Sequence, residues 1–513
     1  MTVPPSPTWP ERLGNAFGQV IKYGTFALLG IGGASVWQWS QVESRQPPPE
    51  VATAPLLTQA DTSFETASIE RLRIAIRTRT VSYQAPTPEQ AAETRQAFDT
   101  LHAHFKKSYP TVYRELQPER RGNSLLLRWP GENPQAPALL MAAHLDVVPA
   151  VASEWSQAPF SGALHEGFVW GRGTLDDKAT ATALLEALER QLQAGTVPAQ
   201  DIYLAFGEDE EIGGSQGAQQ LASHLKAQGV KLAAVIDEGL VIVPGSMIGL
   251  PPPVALIGVA EKGYITLELS VEQAGGHTSM PGNETAVDIL ARGLVRLREN
   301  PLPARLEGPA RQLFDWLGPE MSGFRGWALA NLWLTEPLLL QQLQQKPATA
   351  ALVRTTVAPT VLKGSAKENV LASRASALLN LRVLPGDTLE GIQAHFQTAL
   401  QDERIQIVPR SADFSGQAST VSATDSQIFG RLSQSIRQVF PEALVAPSLV
   451  LAATDSRHYE EISENIYRFQ PVYFSEADLD RLHGHDERIS VESYIKSIGF
   501  FEQFFLNVGH SKT

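Results

Sequence analysis

The chain has 513 residues and a formal net charge of −13, with 42 Lys and Arg against 55 Asp and Glu. This length suggests two to four domains, and a hydrophobic fraction of 43% excludes wholesale disorder. The acidic balance without a basic run argues against nucleic acid as a partner and against electrostatic attachment to anionic lipid. Cysteine is absent, so any metal must be bound by His, Asp and Glu.

The first 45 residues contain a candidate membrane segment. No charged residue occurs at 23–42, and twenty helical residues rise about 30 Å, enough to cross the hydrocarbon core of a bilayer. Trp37 and Trp39 lie at the far end, as in an interfacial aromatic belt. We therefore expect residues 1–45 to be a membrane anchor, with the catalytic domain outside the cytoplasm. A cleaved signal peptide, which would give a secreted protein, and a buried or peripheral helix are the alternatives.

After a proline-rich linker at residues 46–60, helix and strand patterns alternate as in an α/β domain. Residues 91–107 and 179–194 have helical patterns. Three short apolar runs suit buried strands, at residues 138–143, 201–206 and 232–236.

The pattern changes from Ala260 onward. Residues 264–271 and 375–383 alternate like antiparallel strands, and a mainly helical block with an apolar run at 328–340 lies between them. We read this stretch as a second domain inserted into the first. The predicted bounds are 61–258 and 413–513 for the two parts of the catalytic domain, and 259–412 for the insertion.

Potential metal ligands follow the predicted strands. His144 and Asp146 come after a buried run, and residues two apart in an extended segment face the same way, so both can share one site. A carboxylate beside a ligating imidazole usually orients it. Asp176 and Asp177 precede a predicted helix, where capping explains one acid but not both. The other is placed to bridge two metal ions, although each feature alone has an ordinary structural explanation.

Acidic and imidazole groups recur at three further places. Four consecutive acids at residues 208–211 follow a predicted strand, and their mutual repulsion requires either solvent or a cation. One of them could bind metal while its neighbour acts as a general base. Asp237 and Glu238 end another strand, and His483 and His485 lie far downstream. Together these residues suit a two-metal hydrolytic site with nitrogen and oxygen ligands.

The motifs around these residues resemble the di-zinc metallopeptidase and amidohydrolase superfamily of carboxypeptidase S, aminoacylase, carnosinase and acetylornithine deacetylase. The resemblance covers about residues 60–505 and is carried by residues 144–149, 171–178, 209–211, 275–281 and 454–458. Residues 254–263 and 351–356 are typical of the carboxypeptidase S branch, which includes the N-fatty-acyl-amino-acid synthase/hydrolase. The resemblance implies a zinc-peptidase catalytic domain, with a mixed sheet flanked by helices, and an inserted α+β lid and dimerisation domain.

The resemblance also implies two Zn²⁺ per chain, with Co²⁺ or Mn²⁺ as alternatives. The implied ligands are His144, Asp176, Glu211, Asp237 and His483. Asp176 would bridge the ions, and Asp146 would orient the first ligand. Glu210 would be the general base that activates the attacking water and passes the proton to the leaving amine. Of the adjacent acids, this branch favours Asp237 over Glu238.

The inserted domain is expected to supply substrate contacts. His277 matches a residue that polarises the scissile carbonyl and stabilises the oxyanion. In dimeric relatives it reaches the partner's active site, so a homodimer through the lid domain is expected. Arg382 would bind the substrate's carboxylate bidentately, and Asn369 would hydrogen-bond near the carbonyl. Ala372 departs from the pattern, because relatives commonly have proline there.

Arg457 is typical of the branch and is expected to support the substrate site, while His458 and His485 are read either as structural or as residues that contact the ligands. The implied reaction is hydrolysis of an amide next to a C-terminal amino acid with a free carboxylate. The protein would then be a carboxypeptidase of short peptides or an N-acyl-amino-acid hydrolase/synthase. An aminopeptidase or dipeptidase is disfavoured because Arg382 offers no partner for a free amine. A metal-free binding or receptor-like module is disfavoured because no ligand is missing.

Overall fold

A computed structural model describes residues 34–48, 62–410 and 416–509. Most of the predicted membrane segment at 23–42, and most of the predicted linker at 46–60, lie outside these residues. Within the described ranges, no helix combines the length and the apolar character needed to cross a bilayer.

The strands and helices are as follows. The strands are β1 (Glu119–Arg121), β2 (Ser124–Trp129), β3 (Ala138–His144), β4 (Ala163–His165), β5 (Phe168–Trp170), β6 (Ile202–Gly207), β7 (Leu232–Val243), β8 (Val254–Glu261), β9 (Gly263–Glu272), β10 (Gly276–His277), β11 (Thr356–Lys363), β12 (Val370–Leu371), β13 (Arg374–Val383), β14 (Gln406–Arg410), β15 (Leu444–Val450), β16 (Ile466–Tyr473) and β17 (Arg488–Ser490). The helices are α1 (residues 34–40), α2 (Thr62–Arg77), α3 (Pro88–Ser108), α4 (Pro110–Glu115), α5 (Lys178–Gln193), α6 (Ala218–Ala227), α7 (Ala286–Glu299), α8 (Gly308–Leu317), α9 (Gly323–Ala330), α10 (Leu332–Leu343), α11 (Pro347–Val353), α12 (Leu389–Leu400), α13 (Gln427–Val439), α14 (Glu476–Arg481) and α15 (Val491–Gly509).

The largest sheet has eight strands in the order β1-β2-β6-β3-β7-β16-β8-β15. Its centre is parallel, since β3 pairs in parallel with both β6 and β7, while β1, β2 and part of β8 pair antiparallel. The three predicted buried strands are therefore adjacent in space. Strand β7 continues to Val243, well beyond the predicted end at 236.

Helices cover both faces of this sheet, which explains the continuous apolar runs of its central strands. Leu139 and Met141 of β3 pack into one core, and Leu140 and Ala142 pack into a second core on the opposite face. Helix α5 lies in the first core and is buried along almost its whole length. Helix α6 contributes Leu221 to the second core. The predicted α/β class, with a mixed sheet flanked by helices, is confirmed.

A separate antiparallel sheet has the order β11-β13-β9-β14. One of its faces packs against α7 and α12 through a core that includes Leu269, Leu379, Ile289 and Phe396. The predicted antiparallel strands at 264–271 and 375–383 are β9 and β13. All four strands fall inside the range predicted for the insertion, although the domain bounds themselves stay a prediction.

Candidate metal centre

Asp176 lies between two imidazoles at the carboxyl ends of the central strands. His144, the last residue of β3, has its Nε2 atom 2.7 Å from Asp176 Oδ1. On the other side, His483 Nε2 lies 2.9 Å from Asp176 Oδ2 and 3.1 Å from Glu211 Oε2. The structure therefore brings together four of the five predicted ligands, with Asp176 at the position predicted for a bridge.

The donor atoms fall into two overlapping groups, each with its atoms within 4.8 Å of one another. One group is His144, Asp176 and Glu211, and the other is His144, Glu210 and Glu238. The predicted general base therefore lies in the same cluster as the predicted ligands.

Asp146 connects the first imidazole to the acidic turn. Its Oδ1 atom lies 3.3 Å from His144 Nδ1 and accepts a 3.1 Å hydrogen bond from the Glu210 amide. The other oxygen accepts hydrogen bonds from the Glu211 amide at 3.2 Å and from Ser82 Oγ at 2.7 Å. The contact expected of a group that orients His144 is thus present, and Ser82 is an additional member of the network.

Strand β7 presents Glu238, and not the predicted Asp237, to the first imidazole. Glu238 Oε1 lies 3.5 Å from His144 Nε2. The Asp237 carboxylate instead accepts a 2.8 Å hydrogen bond from the Ser456 amide and belongs to neither donor group. The physical reason is the strand itself, because successive side chains point to opposite faces. Asp237 thus lies outside both donor groups in this structure, and its role as a ligand stays a prediction.

A buried ion pair joins the loops that carry Asp176 and His483. Arg172 Nη1 lies 2.5 Å from Glu487 Oε2, and both side chains are at most 2% exposed. Arg172 also donates to the Gly484 carbonyl at 2.6 Å. Glu487 Oε1 accepts from the amides of Gly173, Leu175 and Asp176. Sequence reasoning missed this pair, although Arg172 lies inside the motif segment 171–178 and Glu487 lies four residues after His483.

The positive groups of the protein do not fully balance the negative charge of the carboxylate cluster. Burial and the charge of Asp176 raise the pKa of Glu238 well above its usual range, and the same two causes raise the pKa of Glu211 to about 7. Hydrogen bonds to Asp176 and Glu211 raise the pKa of His483 to about 10. The Glu211 Oε1 atom is buried and has no hydrogen-bond partner. Divalent cations would supply the missing charge, and carboxylates with imidazoles are a donor set that Zn²⁺, Co²⁺ and Mn²⁺ accept.

The structure does not place the predicted substrate residues of the insertion in this cluster. His277 is exposed, with Nδ1 2.8 Å from Ser279 Oγ, and pairs with Val370 across β10 and β12. Asn369 is exposed and directly precedes β12. The Arg382 guanidinium lies 4.7 Å from the centre of the Tyr264 ring. Among the described residues, no hydrogen bond links His277, Asn369 or Arg382 to the metal centre.

Arg457 and His458 pack against the end of the acidic turn. Arg457 Nη2 donates to the Gly213 carbonyl at 2.8 Å, and His458 Nε2 lies 3.1 Å from the same oxygen. Burial and the adjacent Arg457 charge lower the pKa of His458 to about 4, which keeps its ring neutral at pH 7. His485 is exposed. The part of Arg457 in substrate binding stays a prediction.

This fold and this donor set define a metal-dependent peptidase. The profile described as "Peptidase family M20/M25/M40" matches residues 140–507. The chain belongs to this family and is an enzyme of the metallopeptidase class.

Curated relatives share most of the chain. It is 36% identical to "Probable carboxypeptidase S-like 2" of Dictyostelium discoideum over 484 residues, which cover 94% of this chain and 92% of the relative. It is 38% identical to "N-fatty-acyl-amino acid synthase/hydrolase PM20D1" of Xenopus tropicalis over 445 residues, or 86% and 85% of the two chains. The crystal structure of the M20 family metallo-carboxypeptidase Sso-CP2 from Sulfolobus solfataricus shares the fold, with a TM-score of 0.61 and 18% identity over 86% of this chain and 99% of that one.

Proposed function

We propose that the protein hydrolyses the amide bond next to an amino acid with a free carboxylate, either as a carboxypeptidase of short peptides or as an N-acyl-amino-acid hydrolase/synthase. The observation that carries the proposal is Asp176 between His144 and His483, with Glu210 in the same cluster. The relatives named for carboxypeptidase S and for N-fatty-acyl-amino-acid synthesis and hydrolysis support both substrate classes.

Two divalent cations would bind in this cluster. His144, Asp176 and Glu238 would hold one, and His483, Asp176 and Glu211 would hold the other. When bound, such ions lower the pKa of water towards neutrality and polarise a carbonyl group. Zinc is the proposed metal, with cobalt and manganese as alternatives, because mixed imidazole and carboxylate sites accept all three.

Glu210 is the proposed general base. Burial, reinforced by the charges of Asp455 and Glu211, raises its pKa well above the usual range. As a carboxylate in the metal-loaded cluster, Glu210 would accept a proton from the attacking water and pass it to the leaving amine. The Glu210 amide is held by Asp146, so the residue that fixes the first imidazole also fixes the base.

Arg382 is the proposed carboxylate-binding residue. Its guanidinium is half-buried, and the part of the chain that the structure describes supplies no acidic partner within salt-bridge distance. A guanidinium in this state is available for bidentate binding of a substrate carboxylate.

His277 and Asn369 are proposed to contact the scissile carbonyl in a homodimer formed through the inserted domain. Residues 1–45 are proposed to anchor the protein with its catalytic domain outside the cytoplasm.

Release of free amino acid from an N-oleoyl-amino acid and from a Gly-Leu dipeptide tests the proposal. The metal-loaded protein and its Glu210→Gln variant are assayed side by side. Activity of the wild type on either substrate, lost in the variant at unchanged metal content, supports the proposed function, and the preferred substrate identifies the class. A metal-loaded wild type that is inert on both substrates, or a fully active Glu210→Gln variant, contradicts it.

A further inference from the structure

Helices α9 and α10 of the insertion expose large apolar side chains. Trp333, Leu334 and Leu338 share one face of α10 and are 55%, 43% and 67% exposed. Their spacing of one, four and five residues places them on a single side of the helix. Phe324 of α9 is 76% exposed and stacks on Trp327 at 5.3 Å. Large apolar patches of this kind on a soluble surface mark contact sites for a partner or a membrane.

Helix α1 packs onto the same two helices. Ser35 is only 2% exposed because Trp327 Nε1 donates to its hydroxyl at 3.2 Å and Asn331 Nδ2 donates to its carbonyl at 3.0 Å. Asn331 also accepts a 3.2 Å hydrogen bond from Trp333 Nε1. Trp37 of the same helix lies two residues beyond Ser35 and is 66% exposed.

Charge and chain continuity indicate what covers this surface. Helices α9 and α10 contain one basic and one acidic residue, Arg325 and Glu336, and α1 contains neither. The surface therefore carries too few charges to attract a charged partner, which favours an uncharged or zwitterionic one. Helix α1 lies within the uncharged stretch at 23–42, so a bilayer bound by the anchor proposed for residues 1–45 would lie next to this surface.

We propose that Trp37, Phe324, Trp333, Leu334 and Leu338 form a second membrane contact, which inserts into the interfacial region of a zwitterionic phospholipid bilayer. Tryptophan and other amphipathic rings favour the headgroup level, and aliphatic side chains favour the adjoining acyl region. The contact fixes the insertion against the lipid surface. The inference rests on the proposed anchor at residues 1–45 but not on the proposed activity, and its test requires no turnover.

The cysteine-free chain allows a direct test by spin labelling. Leu338→Cys is introduced into the full chain, labelled with a nitroxide and reconstituted with phosphatidylcholine vesicles. The matched control is Leu362→Cys on β11, where the native side chain is equally exposed at 65%. We expect oxygen to relax the label at 338 several-fold more strongly, relative to a water-soluble nickel complex, than the label at 362, with no change between low and high NaCl.

Two results would overturn the proposal. Equal, water-like accessibility of the labels at 338 and 362 in vesicles would show that no bilayer covers α10. Dipolar broadening at 338 that disappears on dilution with unlabelled protein would show that a second copy of the chain occupies the surface. Because position 338 is exposed, the substitution leaves the core intact. A variant that does not fold, at either position, would be recognised by the mobility of its label.

Discussion

Glu210 is the residue whose loss is expected to affect turnover most. Glu210→Gln removes the base but keeps the shape of the side chain, so kcat should fall by about 10²–10⁴-fold with metal content unchanged. Steady-state kinetics and metal analysis of the same preparation measure both quantities.

The matched control is Glu208→Gln in the same acidic turn. Glu208 binds the Asn123 amide and side chain and lies outside both donor groups, so kcat should stay within a few-fold of the wild type. Equal losses in the two variants would point to the turn's structure rather than to a base.

Alanine variants of Asp237 and Glu238 test which of the two side chains binds the metal and which has only a structural role. Glu238→Ala should lower metal content after dialysis, because this side chain faces His144. Asp237→Ala should keep the metal but leave the buried Ser456 amide unpaired, which costs about 1–3 kcal/mol in the free energy of unfolding. The reverse pattern would restore the sequence-based assignment of Asp237.

These two acids also show what the sequence could and could not specify. Four of the five predicted ligands converge: His144 ends β3, Asp176 precedes α5, Glu211 follows β6 and His483 follows α14. The choice between Asp237 and Glu238 depends on which face of β7 each side chain occupies, and a one-residue change of register reverses it. The pair of Arg172 and Glu487 was equally inaccessible, because its members are 315 residues apart.

At the scale of elements, the ion pair of Arg172 and Glu487 should control how two loops meet. Glu487→Gln leaves a buried guanidinium without its counter-charge, which is expected to cost about 3–5 kcal/mol and to weaken metal binding. Urea unfolding and metal competition measure the two effects. The control is Arg114→Ala, whose pair with Glu115 is exposed and should contribute less than about 1 kcal/mol. Similar losses in both variants would contradict the assigned role.

Helix α3 should make the protein acid-sensitive through His102. Burial and the nearby Arg120 lower the pKa of His102 to about 4, from an ordinary value of 6.5. The folded state therefore binds fewer protons than the unfolded state between these values, so its stability falls as the pH drops through this window.

The expected loss from this group between pH 7.5 and pH 5 is about 2 kcal/mol. Urea unfolding at the two pH values measures it. In His102→Gln, the difference in free energy of unfolding between them should shrink by that amount, whereas in His165→Gln, at an exposed position, it should not change. An unaltered difference in His102→Gln would show that the imidazole is solvated.

Helices and strands were predicted well where the apolar periodicity of the sequence fits only one type of secondary structure. The helices at 91–107 and 179–194 and the strands β3 and β6 were found within a few residues, because their apolar periodicity matches one secondary structure each. For β7 only the start was predicted correctly. The apolar run at 328–340 was predicted to lie in a mainly helical block. An apolar helix does not disclose which of its sides its neighbours cover, so the exposure of Trp333 and Leu338 needed coordinates.

At the scale of the whole molecule, the metal centre joins parts of the chain that are far apart in sequence. His144 ends β3, Asp176 precedes α5, Glu238 lies in β7 and His483 follows α14, so the donors span 340 positions (483 − 144 + 1). Folding must bring these segments together before a cation can be bound by all of them. Metal binding is therefore linked to the stability of the whole folded chain rather than to the stability of a single loop.

Divalent metal is accordingly expected to stabilise the folded enzyme as a whole. An ion that binds only the folded state adds about 2.7 kcal/mol at a free concentration 100 times its Kd, and it also relieves the repulsion among Glu210, Glu211 and Glu238. Calorimetry of chelated and zinc-loaded protein should show a higher Tm with zinc, retained in Glu210→Gln and reduced in Glu238→Ala. An identical Tm with and without zinc, at a zinc content of two per chain, would mean that the site forms equally well in the unfolded chain, which the separation of its donors argues against.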